Sequence, residues 1–137
     1  MSSEINVALQ QKFGDAINSG SLEVFEELVA PDAIDHDPAV GQGPGPQGFR
    51  DMFREMRSAF PDLHVEVEHL TASGEDVAIA YTLTGTQDGR FMGYEPTGSK
   101  ISVRGVQIAR FDAGMLVERW GSSDQLGILQ QLGVIDA

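Results

Sequence analysis

The sequence predicts an α+β fold, and one change of period carries most of that prediction. Apolar residues recur at helical spacing as far as Pro61, and from Asp62 to Gly121 they alternate with a period of two. Helical segments followed by a run of antiparallel strands give helices packed against one face of a sheet. At 137 residues the chain is long enough for one core and too short for two comfortable ones, so residues 1–137 are read as a single domain.

Three helical segments come first. Ile5, Leu9, Phe13, Ala16 and Ile17 share one face, entered past Ser2 and Ser3, which can cap it, and broken by the "NSG" that follows. Leu22, Phe25, Leu28 and Val29 make a second, short segment. Phe49, Met52, Phe53, Met56 and Phe60 make a third, entered at Pro46 and stopped by Pro61. A stripe this rich in Met and Phe is either core or the lining of a ligand cavity, and Phe53 is the candidate contact there.

The strands follow as hairpins. Leu63, Val65, Val67 and His69 alternate with polar neighbours, as do Val77, Ile79, Tyr81 and Leu83, and "TASGED" joins the two runs. A second hairpin runs from Ile101 to Phe111 and from Met115 to Gly121. With Gly114 left-handed at the end of a three-residue Asp112–Gly114 loop, Phe111 pairs with Met115 and Gln107 faces Arg119. A two-residue loop instead brings Trp120 beside Gln107. On the first register Gln107, Arg119 and Gly121 point to the face covered by helices, and Val106, Ile108 and Trp120 to the open one. A strip of Ala78, Ala80, Val106, Ile108 and Trp120 on the open, convex face predicts a homodimer through it.

Composition excludes some classes of function. Nine Lys and Arg against twenty-one Asp and Glu give a net charge of −12, which opposes nucleic acid and anionic lipid. No apolar run reaches the roughly 20 residues of a membrane span. The start carries no basic segment followed by an apolar stretch, and the chain has no Cys, so the expected compartment is the cytoplasm. No His-x-His or Cys pattern points to a metal site.

Four stretches, "LVAPDAIDHDP", "GFRDMFREMRSAFPDLHVEVEHL", "FMGYEPTGSKISVRGVQIARF" and "ERWGSSDQLGILQQLG", resemble in order and spacing the SnoaL-like polyketide cyclases. That resemblance implies a nuclear-transport-factor-like cone, an α+β barrel of three N-terminal helices on a curved antiparallel sheet around a pocket. It also implies cofactor-independent ring closure by aldol chemistry, with a carboxylate and a His on the last hairpin moving the protons. Aligned to that pattern, Gln107 stands at the His position and Gly121 at the carboxylate position, and neither side chain can take a proton at neutral pH.

Other residues therefore become the candidates. His36 in "AIDHDP" can shuttle protons near neutral pH, and it faces inward if Ile34 does, with Asp35 and Asp37 turned away; its alternative is a hydrogen-bonded core His. His69 shares the inward parity, whereas His64 is expected at the surface. Asp124 is either a second proton-transfer group or part of the last helix's cap, where Ser122 and Gln125 make a capping-box pattern. An inward Arg119 needs an acidic partner or an anionic ligand. Tyr81 can donate a hydrogen bond to a carbonyl or serve the core. Phe91 and Met92 either close over the pocket as a lid or pack on its rim.

The function expected is thus a pocket for a hydrophobic, carbonyl-containing small molecule, lined by Tyr81, Gln107, Arg119, Phe53, Phe91 and Met92, with no cofactor. Either the protein is a cyclase-, isomerase- or hydrolase-like enzyme using His36 and Asp124, or it binds a ligand or partner without catalysis. The glycines at 105 and 121 are expected to enlarge the pocket floor, leaving donors but no base, so that aldol cyclisation is absent or weak.

Overall fold

The computed structural model describes residues 3–136. Helix α1 spans Ser3–Ser19, and a single 3-10 turn over Leu22–Val24 leads into the short helix α2, Phe25–Leu28. Strand β1, Val29–Asp35, follows, then helix α3 over Gly45–Ala59. Strands β2 (His64–Ser73), β3 (Asp76–Thr86), β4 (Lys100–Asp112) and β5 (Met115–Ser123) precede helix α4, Gln125–Leu132. Ser3 is already helical, and Ser2 lies outside the described residues. Among the described residues no helix is long and apolar enough to cross a membrane.

The α+β class holds, and the sheet differs from the expected one in two ways. It is open, in the order β1-β5-β4-β3-β2, and it is mixed, because β1 runs parallel to β5. The "VAPDAID" segment had no strand-like alternation to announce it. Pro31 lies within it, which an edge strand tolerates because one side of its backbone needs no ladder partner. The ladder is broken there: Val29 pairs with Leu116, and the next partners are Ile34 with Glu118 and Asp35 with Arg119.

The odd-numbered face of β3 and β4 is the buried one, as the alternation predicts, with Val77, Ile79, Leu83, Ile101, Val103, Ala109 and Phe111 all at most 8% exposed. Two cores result. The first gathers α1, α2 and α3 through Phe13, Phe25 and Phe49 over Val77, Ile79, Phe111 and Leu116. The second packs Phe60, Leu63 and α4's Ile128 and Leu132 over Leu83, Ile101 and Val103. Tyr81 and Ile17 touch both, so Tyr81 marks the seam where the two cores meet on the concave face. The Met and Phe stripe of α3 is core lining: Phe53 packs edge-on to Phe25, at 5.8 Å between centroids, and Met56 joins the second core.

The β4–β5 hairpin corrects the expected register. Ala113 and Gly114 have φ of 52° and 82° and form a two-residue loop, with Asp112 paired to Met115. Positive φ at both positions matches the right-handed twist of the strands. A left-handed Ala is strained, which is why the sequence favours a loop in which Gly114 alone is left-handed. Val117 then bulges out, since Phe111 pairs with Leu116 but Arg110 with Glu118. The final pairs are Ala109 with Arg119, Gln107 with Gly121, and Gly105 with Ser123. Beyond this bulge the slip from the expected pairing is two residues, so Arg119 and Gly121 keep their predicted face, whereas before it Leu116 takes the buried place expected of Met115.

Candidate functional site

On the concave face of β5, Arg119 is held from three sides. Its Nη1 donates to Asp35 Oδ1 at 2.9 Å, its Nε to Gln107 Oε1 at 2.7 Å, and Nη1 also approaches the Asp37 carbonyl at 3.3 Å. The pair is largely dry, with side chains 15% and 8% exposed for Arg119 and Asp35. Desolvating a guanidinium is costly unless a carboxylate meets it, and Asp35 is the acid the sequence required. Asp35 is itself fixed: Oδ1 also accepts from the Asp37 N–H at 3.0 Å, and Oδ2 from Gln42 Nε2 at 3.1 Å.

The floor between Gly105 and Gly121 is filled by neighbours, which corrects the expected enlargement. A Cβ on Gly121 would lie 2.6 Å from Arg119 Nη2, so the guanidinium itself occupies the space that glycine leaves. A Cβ on Gly105 would lie 2.4 Å from the Tyr81 hydroxyl, so the phenol lies across Gly105. Burial pushes the Tyr81 hydroxyl above its ordinary pKa, partly offset by the positive charge of Arg119 and a hydrogen bond with Ser123. Tyr81 therefore stays protonated at neutral pH and can donate. Arg119 Nη2 makes no hydrogen bond to the described residues. Two donors thus converge at the seam between the cores, above two glycines.

The proton-transfer candidates fall elsewhere. His36 is not inward. Ile34 is 55% exposed, and His36 shares its face as the parity argument required, so both look out from the convex side. There His36 Nε2 meets Glu118 Oε2 at 2.7 Å and the ring stacks on Trp120 at 4.9 Å. The inward residue of "AIDHDP" is Asp35, because the broken ladder at Pro31 resets which residues of β1 face in. His69 is also outward, paired with Ala80 after a bulge at Glu68 reverses the alternation of β2, while His64 is exposed as expected. Asp124 is the N-cap of α4 and accepts from the Gly127 N–H at 2.8 Å; Ser122 and Ser123 are still strand, so no box forms around Ser122.

Phe91 and Met92 form no lid. Phe91, 8% exposed, packs on Phe60 at 5.3 Å in the second core, and Met92 is 53% exposed at the tip of a turn. The organiser of this loop is Gln87, 1% exposed, which donates to the Gly89 and Tyr94 carbonyls and accepts from the Thr97 N–H and hydroxyl. No sequence signal marked it. Two open clefts lie away from Arg119. One of about 610 Å³ sits between the start of α1 and the hairpin turns at Gly74 and Gly114, and one of about 390 Å³ between Asp62, Lys100 and Gln131. Neither cleft is lined by a buried charge, since Glu75, Asp112, Asp62 and Lys100 are all exposed.

The sequence model of the SnoaL-like polyketide cyclases matches residues 7–132. The chain belongs to that family. Solved structures of similar proteins cover nearly its whole length. IdmH of Streptomyces antibioticus, a candidate polyketide cyclase, is 32% identical, with 93% of this chain and 98% of that one covered at a TM-score of 0.81. AclR of Streptomyces galilaeus, a candidate hydroxylase, is 30% identical over 99% and 85%, at 0.85. TsrD of Streptomyces laurentii shares the fold at a TM-score of 0.89, with 24% identity over 98% and 99%. No curated protein matches the chain. In this SnoaL-like protein the concave face of the last hairpin carries Gln107, Gly121 and Arg119, the last paired with Asp35 of β1.

Proposed function

We propose that the concave face binds a hydrophobic small molecule through a carbonyl or carboxylate oxygen, in a cofactor-independent SnoaL-like protein of cyclase, isomerase or hydrolase type. The observation that carries this reading is the Arg119 guanidinium: Asp35 and Gln107 fix it, yet Nη2 has no hydrogen-bond partner among the described residues, and the Tyr81 phenol lies alongside. Preformed donors of this kind favour an oxygen that carries or gains negative charge. Phe53 and Ile17, half-buried on the helix side, supply apolar surface for the rest of the ligand. His36 and Asp124 take no part, the one facing the opposite side of the sheet and the other capping α4. Without a base beside the donors the same site is a non-catalytic binder, which is the second reading.

The test is a titration with 2-tetralone, a bicyclic ketone, followed through the ¹⁵N resonance of the Arg119 Nε. Binding shifts that resonance, and Arg119→Met, followed through the backbone amide resonances of Gly105 and Gly121 because it lacks the guanidinium, weakens binding by roughly 10- to 100-fold, the equivalent of one charge-assisted hydrogen bond. Unchanged affinity in that variant would remove Arg119 from the site. Trp120 cannot serve as the reporter, because it stacks on His36 on the far face.

We also propose a homodimer through the convex face. Val106 and Ile108 are 58% and 43% exposed beside Trp120. The rim carries both signs of charge, with Arg110 joined to Asp76 and Glu118, and Arg104 to Glu68. A two-fold interface sets one patch against its own copy, and mixed charge at the rim suits that arrangement. Trp120→Glu is expected to yield monomers in sedimentation velocity at tens of micromolar. A wild-type monomer under those conditions ends this proposal.

A further inference from the structure

We propose that Asp37 is the catalytic base of the concave face, taking a proton from the carbon next to a carbonyl whose oxygen is held by Arg119 and Tyr81. The inference rests on the carbonyl-binding reading above. A base needs a free oxygen, a fixed position, and a neighbour for the charge it creates. Asp35 fails the first condition, since Oδ1 accepts from Arg119 and the Asp37 N–H and Oδ2 accepts from Gln42. Glu118 is engaged on the convex side by His36 and Arg110. Asp124 holds the start of α4.

Asp37 meets all three conditions. Its Oδ2 accepts the Gly121 N–H at 2.9 Å, which continues the ladder of β1 with a side chain and fixes the carboxylate at the sheet edge. Its Oδ1 has no hydrogen-bond partner among the described residues, and the residue is exposed. It makes no ion pair with Arg119, although its own carbonyl lies 3.3 Å from Arg119 Nη1. The carboxylate is thus next to the guanidinium without being neutralised by it. Gly121 joins the two groups: its N–H orients Asp37, and Arg119 Nη2 lies over its Cα.

The step is balanced by these groups alone. The α-proton passes to Asp37 Oδ1, and the C–H electron pair becomes the C=C of an enolate. The carbonyl π pair moves onto the oxygen, where Arg119 Nη2 and the Tyr81 hydroxyl donate to it. Asp37 then exchanges its proton with solvent and returns one to the same carbon.

The half-reaction is read without the natural substrate, as loss of the α-proton signals of 2-tetralone in D₂O by ¹H NMR. The Arg119 ¹⁵N shift measures ketone binding in the same samples. Wild-type protein is expected to exchange the ketone faster than buffer. Asp37→Asn, whose carbonyl can still accept from Gly121, is expected to lose roughly 10²-fold or more of that acceleration while binding is kept. Asp37→Glu, which keeps a carboxylate, should retain part of it, and Asp37→Ser serves if the Asn variant fails to fold. Exchange at the wild-type rate in Asp37→Asn, or wild-type binding without exchange, overturns the assignment and leaves the carbonyl-binding reading standing. A ketone that never shifts Arg119 overturns both.

Discussion

Asp35→Ala is expected to lower stability by about 3–5 kcal/mol, the cost of leaving a buried charge without its partner. Arg119 stays behind with 15% of its side chain exposed, and the Asp37 N–H and Gln42 amide lose their acceptor at the same time. Urea unfolding should show a lower midpoint with an unchanged slope, because the surface buried in the fold is the same. The melting temperature should fall by about 10–17 °C for a domain of this size. Removing both charges, as Asp35→Leu with Arg119→Met, should recover much of the loss, since apolar replacement of a buried pair is often close to neutral. A loss under about 1 kcal/mol in Asp35→Ala would mean that Arg119 is as well solvated as a surface ion.

The pair shows which parts of the site the sequence could reveal. The helical stripes and the odd-numbered face of β3 and β4 follow from period alone, and the structure keeps them. The face of Arg119 followed as well, and with it the need for an acid, because a hairpin slip of an even number of residues cannot reverse a side chain. The identity of that acid did not follow. Parity along "AIDHDP" correctly grouped Ile34 with His36 and Asp35 with Asp37, but which group faces in depends on where β1 joins β5. That junction is a parallel pairing across most of the chain, broken at Pro31, and no local pattern encodes it. A bulge at Glu68 defeated the same argument for His69. Gln87 was missed for a different reason: a buried amide with four bonds to one loop looks in sequence like any loop Gln.

The family likeness behaved in the same divided way. It covers almost the whole chain and fixes the α+β architecture, because helices, strands and hairpins depend on apolar pattern and turn geometry. The chemistry depends on a few inward positions, and here Gly121 has no side chain of its own. Its surroundings are rebuilt from neighbouring residues: Arg119 of the same strand fills the space, Asp35 and Gln107 hold Arg119, and Asp37 accepts from the Gly121 N–H. A fold shared with relatives therefore says little about which group moves a proton.

Gly48→Ala is expected to cost about 1–3 kcal/mol, at the upper end of what overpacking by one methyl usually does. Gly48 lies in the first turns of α3, and a Cβ there would lie 1.8 Å from the Gly43 carbonyl oxygen. The obstacle is backbone, so no rotamer change relieves it, and the loop before α3 has to move. That loop carries Gln42, which accepts from the Ala39 N–H at 3.0 Å and donates to Asp35 Oδ2 at 3.1 Å. Displacing Gly43 should therefore pull Gln42 away from Asp35 and disturb Arg119 from a distance. The expected signature is a lower urea midpoint together with a shifted Arg119 Nε resonance in the absence of any ligand. Gly14→Ala is the control: nothing lies within 4 Å of its Cβ position in α1, so it should stabilise the protein by about 0.5–1 kcal/mol and leave Arg119 unmoved. Wild-type stability in Gly48→Ala would show that the loop yields freely, and that Gln42 is no fixed support of the Asp35–Arg119 pair.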